Sequence, residues 1–246
     1  MMGRFRLDDE VFAGTVKGDR VIVEQGLYCD TYTLDELETL PPVTPGKIVC
    51  VGLNYIDHAR ELDMELPGCP IIFLKPPSAV IGHRDMIVYP PESRHVDYEA
   101  ELAVVIGKQC KNVPATHAGD VILGYTCFND VTARDIQQED GQWTRAKSFD
   151  TFAPVGPFVV MAENVDISNA YIRSRVNGRL RQDSSVDNMI FDIPALIEFI
   201  SHIMTLEKGD VIATGTPAGV GQLNHGDTVE IDIEGVGTLE NEVVKA

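Results

Sequence analysis

Tyr98-Glu99-Ala100-Glu101-Leu102-Ala103-Val104-Val105-Ile106, with Ile122-Leu123-Gly124-Tyr125-Thr126-Cys127-Phe128-Asn129-Asp130 downstream, is the stretch that decides the fold. Both apolar runs are rich in β-branched and aromatic residues and bounded by turn formers, the pattern of buried strands. Successive strand residues point to opposite faces, so Glu99 and Glu101 project to the same side. Two carboxylates on one face of a buried strand repel, and are costly to desolvate unless something cationic sits between them. With Asp130 added, the donor set is all oxygen, which suits a hard divalent cation, Mg²⁺ or Mn²⁺. The competing reading is a wet edge strand, with Asp97, Glu99 and Glu101 in water and Tyr98, Ala100 and Leu102 facing the core.

Composition narrows the field. A chain of 246 residues can bury one large core, alone or with a small appendage. No apolar stretch is long enough to cross a bilayer, and no apolar signal region follows Met1-Met2-Gly3-Arg4-Phe5-Arg6. The formal net charge of −18 argues against nucleic-acid partners and anionic membrane surfaces. The five cysteines are odd in number and lack C-x-x-C spacing. That speaks against a disulfide scaffold or thiolate zinc site and fits a reducing cytoplasm.

The chain divides near Pro41-Pro42-Val43-Thr44-Pro45-Gly46, giving a small β-rich N-terminal domain over residues 1–45 and a larger domain over 46–246. In the first, β-type runs at Val11 to Val16 and Arg20 to Glu24 precede an expected helix from Leu34 to Leu40, with Thr33 as its N-cap. In the second, Lys47 to Val51 reads as a strand, and a helix from Ile56 to Leu62 would set His58 and Glu61 on one face. Ile71 to Leu74 reads as a strand and Val131 to Glu139 as a helix ending at Gly141. Asn177-Gly178 is a hairpin signal between Tyr171 to Val176 and Arg179 to Gln182. Asp192 is the expected N-cap of a helix over Ala195 to Ile203. Strands at Val211 to Thr214, Thr228 to Ile233 and Thr238 to Val244 complete a mixed α/β, predominantly β chain.

These residues carry a resemblance. Asn54-Tyr55 with His58 and Glu61, Glu99-x-Glu101, Asn129-Asp130 with Ala133-Arg134-Asp135, Lys147-Ser148-Phe149-Asp150 and Thr214-Gly215-Thr216-Pro217 stand in the order found in the fumarylacetoacetate hydrolase family. From Lys47 onward the chain resembles the isomerase, decarboxylase and acylpyruvase branch more than fumarylacetoacetase itself. The resemblance implies a β-roll catalytic domain, usually a homodimer, that binds Mg²⁺ or Mn²⁺ and acts on 2-oxo acids and their enols.

By the same resemblance Glu99, Glu101 and Asp130 match the metal ligands, and Lys147 matches a lysine that steadies negative charge on substrate oxygen. His58 and Glu61 match a dyad on a mobile lid that activates water or accepts a proton, and the Met64 to Pro70 loop would allow closure. Arg134 and Gln137 resemble substrate-contacting positions, against ordinary helix-surface polarity. Thr216 lies in a glycine-bounded turn suited to a substrate carboxylate, against a purely structural turn. Lys75 sits in a family-like stretch without an assignable role. The expected activity is that of a 2-hydroxyhepta-2,4-diene-1,7-dioate isomerase or 5-oxopent-3-ene-1,2,5-tricarboxylate decarboxylase. Alternatives are an acylpyruvate hydrolase, an oxaloacetate decarboxylase or a non-catalytic divalent-cation-binding module.

Overall fold

The Ala100–Ile106 strand is the middle of the fold. It pairs antiparallel with Ile122–Asn129 on one side and with Val211–Ala213 on the other. Its side chains divide by parity, as the pleat requires. Ala100, Leu102, Val104 and Ile106 enter the main hydrophobic core, and Ala103 and Val105 enter a second cluster with Ile48, Cys50, Phe128 and Ala153. A strand buried on both faces reads as a near-continuous apolar run, which is why Leu102 to Ile106 lacks the alternation of an exposed sheet and Glu101 stands out beside it.

Outward from this strand, Val211–Ala213 runs parallel to Ile48–Gly52, which pairs with the edge strand Ile71–Lys75. In the other direction Ile122–Asn129 pairs with Ala153–Met161. A five-stranded sheet covers the first core. Its order is Arg179–Ser185, Tyr171–Val176, Thr228–Ile233, Gly237–Lys245 and Met86–Tyr89. Leu102, Ile172, Ile231 and Leu239 are among the residues buried between the two sheets. The computed structural model describes residues 1–25 and 28–246.

The N-terminal strands Met2–Leu7, Glu10–Lys17, Arg20–Gln25 and Tyr28–Thr33 form an antiparallel meander. It joins the large sheet through Met2 paired with Val159 and buries its own cluster of Phe5, Val16, Val21, Val23 and Leu37. Here one expectation fails. Leu34 to Leu40 is not a helix: a single 3-10 turn, Leu34–Glu36, is followed by the strand Glu38–Leu40. Pairing of Glu38–Leu40 with Arg4–Arg6, and the Arg6–Glu38 ion pair of 2.8 Å, override the local helical preference.

The four α-helices among the described residues are short apart from the last: α1 (Ile56–Glu61), α2 (Arg134–Asp140), α3 (Thr144–Lys147) and α4 (Ile193–Ile203). The expected helix at Val131 starts three residues late, because Thr132–Ala133 pairs with Val96–Asp97 before the chain turns helical. Gly141 ends it in the left-handed conformation, φ 67°. The Asn177-Gly178 hairpin has φ of 52° and 72°, positive at both central residues, as a two-residue turn that follows sheet twist demands.

Candidate active site

Glu99 is the point where one chain leaves two sheets. Val96–Tyr98 belongs to a three-stranded sheet with Thr132–Ala133 and Gly221–Gln222, whereas Ala100–Ile106 belongs to the large one. At the break, the Glu99 N–H donates to Asn129 Oδ1 at 3.0 Å and the Glu99 carbonyl accepts from Asp130 N–H at 3.0 Å. These bonds satisfy a backbone that has left the ladder, and they bring Asp130 beside Glu99. Glu99, Glu101 and Asp130 offer oxygens all within 4.8 Å of one another. The wet-strand reading is overturned: Glu99 is 6% exposed and Glu101 and Asp130 are 1% exposed.

Three cations surround the acids. Lys147, at the end of α3, donates to Glu99 Oε2 at 2.9 Å and to Asp130 Oδ2 at 2.6 Å. Its ammonium also stands 4.9 Å from the centre of the Phe73 ring. Arg134, at the start of α2, donates to Glu99 Oε1 at 2.5 Å, to Asp97 Oδ2 at 2.8 Å and to Gln137 Oε1 at 2.7 Å. Lys75 is a residue whose importance sequence reasoning missed. It is buried and donates to Asp130 Oδ1 at 2.5 Å and to the Val131 carbonyl at 2.9 Å. Its signal was faint: a lysine closing the otherwise apolar run Ile71 to Leu74, ahead of Pro76-Pro77.

Electrostatics separate the two glutamates. Burial opposes ionisation of Glu99, but Lys147 and Arg134 overcome it and hold this carboxyl well below the usual carboxylate range. Glu101 is pushed well above that range, first by burial and then by the charges of Asp130 and Glu99. Among the described residues its one hydrogen bond comes from the Gly215 N–H, 2.9 Å. Burial also opposes the charge on Lys147, and Asp130 with Glu99 reverses that and raises its pKa. An under-compensated buried carboxylate in an all-oxygen trio fits a hard divalent cation, which would cancel the repulsion that Glu101 feels.

The trio opens into a cavity of about 370 Å³, a volume suited to a small metabolite. Its wall includes His58, Leu62 and Met64 around α1, Phe73 and Trp143 opposite, and Thr216. His58 Nδ1 lies 2.9 Å from Glu61 Oε2. Thr216 is buried and its hydroxyl accepts from Gln182 Nε2 at 2.8 Å. Of the candidate catalytic, metal-ligating and substrate-binding residues, His58, Glu99, Glu101, Asp130, Arg134, Gln137, Lys147 and Thr216 line this cavity, and Glu61 reaches it through His58. Asn54 serves the frame instead: its amide donates to the carbonyls of Thr214 and Phe191 and accepts from Phe191 N–H.

Known proteins share this architecture. Residues 47–244 match the Fumarylacetoacetate (FAA) hydrolase C-terminal family. Oxaloacetate tautomerase FAHD2B, mitochondrial, of Bos taurus is 47% identical over 220 residues, covering 85% of this chain and 70% of that protein. A 5-carboxymethyl-2-hydroxymuconate delta-isomerase from Mycobacterium smegmatis superposes with a TM-score of 0.93 at 44% identity, covering 100% of this chain and 98% of the other. Maleylpyruvate hydrolase from Sphingobium sp. SYK-6, solved with manganese(II) and pyruvate, superposes with a TM-score of 0.86 at 32% identity, covering 100% of this chain and 99% of the other. The chain is an enzyme and belongs to the fumarylacetoacetate hydrolase family.

Proposed function

We propose that this enzyme isomerises 2-oxo acids through their enols, moving a proton at the carbon beside the oxo group. The observation that carries this reading is the His58–Glu61 hydrogen bond at the wall of the cavity that also holds Glu99, Glu101 and Asp130. A carboxylate on Nδ1 favours the tautomer with the proton there, which leaves the Nε2 lone pair as the base. Mg²⁺ or Mn²⁺ held by Glu99, Glu101 and Asp130 would supply Lewis acidity toward the oxo oxygen. Lys147 steadies negative charge in the same place, since its ammonium already bridges Glu99 and Asp130. Thr216 accepts a hydrogen bond from Gln182, so its own proton is available to a substrate carboxylate. Arg134 and Gln137, joined to each other on α2, face the rest of the substrate.

The substrate class we favour is the unsaturated 2-oxo dicarboxylate of the 2-hydroxyhepta-2,4-diene-1,7-dioate type. The isomerase likeness and the oxaloacetate tautomerase relative support proton movement over bond cleavage. We assign catalysis to residues 46–246 and expect a homodimer. The cytoplasm fits its reduced cysteines.

A panel of 2-oxo acids, assayed with Mg²⁺ or Mn²⁺ after chelation, tests the reading. Isomerisation should be metal-dependent, and His58→Ala should cost about 10²–10⁴-fold in turnover, the range for a lost general base. Decarboxylation of oxaloacetate by the same variant should fall far less, because loss of CO₂ needs an electron sink and no base. Equal losses in both reactions would overturn the base assignment. Metal binding without turnover of any 2-oxo acid would instead favour a binding module.

A further inference from the structure

Gly219 is not among the residues that line the cavity, yet it is hydrogen-bonded to Glu61 of the dyad and to Tyr98, the chain neighbour of Glu99. Its N–H donates to Glu61 at 3.0 Å to Oε1 and 3.2 Å to Oε2. Its carbonyl accepts from the Tyr98 hydroxyl at 2.9 Å. Tyr98 is buried, with its backbone immediately before Glu99, and its hydroxyl reaches 121 residues along the chain to make that bond. The two bonds involve the two peptide planes that flank the Gly219 Cα, so together they restrain both torsions of this residue.

Only glycine can serve there. Gly219 has φ +97°, and a Cβ at this position would lie 2.4 Å from the carbonyl oxygen of Arg181. The backbone is thus held at its carbonyl by Tyr98 and at its N–H by Glu61, and the Arg181 carbonyl leaves no room for a side chain. Glu61 itself is partly exposed, and a free glutamate on a six-residue helix would sample many rotamers. A fixed N–H between its two oxygens selects the rotamer in which Oε2 also meets His58 Nδ1.

We propose that Tyr98 and Gly219 form a latch that positions the His58–Glu61 dyad, with Tyr98 acting through Gly219 on Glu61 and so on the imidazole tautomer. This rests on the dyad being the base proposed above. Tyr98 and Gly219 are positioning residues; neither meets the reacting atoms.

The test is Tyr98→Phe, which keeps the ring and removes one hydroxyl, read by ¹⁵N-histidine spectra with His58 assigned from the His58→Asn variant. The native enzyme should show the Nδ1–H tautomer at His58. Tyr98→Phe should shift the population toward Nε2–H and lower kcat about tenfold, with KM and Mn²⁺ affinity by calorimetry unchanged. Gly219→Ala should shift the tautomer the same way; because it can also disturb the loop, Tyr98→Phe decides. An unaltered tautomer in Tyr98→Phe overturns the latch. So does a fall in kcat that tracks weaker Mn²⁺ binding, which would mean that Tyr98 acts through Glu99. The latch and the base reading fail separately: a shifted tautomer with His58→Ala still active keeps the latch and removes the base.

Discussion

Glu101 combines three facts: burial, two acidic neighbours and a lone N–H donor. Replacing Glu99, Glu101 or Asp130 by Ala should weaken Mn²⁺ binding by more than about tenfold, since even supporting groups around metal ligands cost 10–100-fold. Activity should fall in step. The Glu101→Ala variant should melt no lower than the parent in chelator, because a buried carboxyl beside two acidic neighbours, whose ionisation they and burial oppose, is gone. Calorimetry for the metal and thermal melts in EDTA check both halves, and unchanged affinity in all three variants would end the ligand assignment. At this scale the acids were legible in part: their i, i+2 spacing in an extended stretch suggested a shared side. But Glu99 sits at the break between two strands, and only the fold brings its oxygens within 4.8 Å of those of Glu101 and Asp130. Lys75 was not. Nothing local distinguishes a lysine at a strand end from a solvated one; what buries it is Asp130, 55 positions away.

Elements were legible where a local rule decides alone and illegible where a pairing partner decides. Asp192 accepts from the Ala195 N–H at 2.9 Å, capping α4, whose Leu196, Ile197 and Ile200 enter the main core. Asp192→Ala should therefore cost about 1 kcal/mol, the usual worth of a cap, with activity retained. Chemical denaturation reads this directly, and a loss below measurement error would show that burial of the apolar face holds the helix start unaided. The Asn177-Gly178 turn was legible for the same reason, because positive φ at both positions is a property of these two residues. The Leu34 to Leu40 segment failed because its partner strand, Met2–Leu7, lies some thirty residues back. The α2 start shifted because Thr132–Ala133 finds Val96–Asp97. That shift matters to the site: it leaves Arg134 in the first helical position, where its side chain spans Asp97 and Glu99.

Across the whole molecule, acids outnumber Lys and Arg by 38 to 20, and the net charge is −18. Self-repulsion on that scale destabilises the compact state and is screened within about 8–10 Å at physiological salt. The melting temperature should accordingly rise between about 0.05 and 0.5 M NaCl, where the Debye length shrinks well below the spacing of surface charges. A flat or falling profile in chelator would show that the surface ion pairs, such as Arg6 with Glu38 and Arg145 with Asp140, outweigh the repulsion. No helix among the described residues is long and apolar enough to cross a membrane.

By itself the sequence determined what is short-range or periodic: the buried strands, the i, i+2 spacing of Glu99 and Glu101, the hairpin at Asn177-Gly178 and the spacing of His58 and Glu61. Those follow from the pleat, the helical repeat and single-residue torsions, which need no partner. Only the tertiary structure decided that the strand breaks at Glu99 to serve two sheets, that Lys75 and Lys147 converge on Asp130, and that the Gly219 peptide meets Glu61 and Tyr98. Each of these joins residues from 17 to 158 positions apart. Such contacts form only after apolar burial has closed the intervening chain, so no local pattern can announce them.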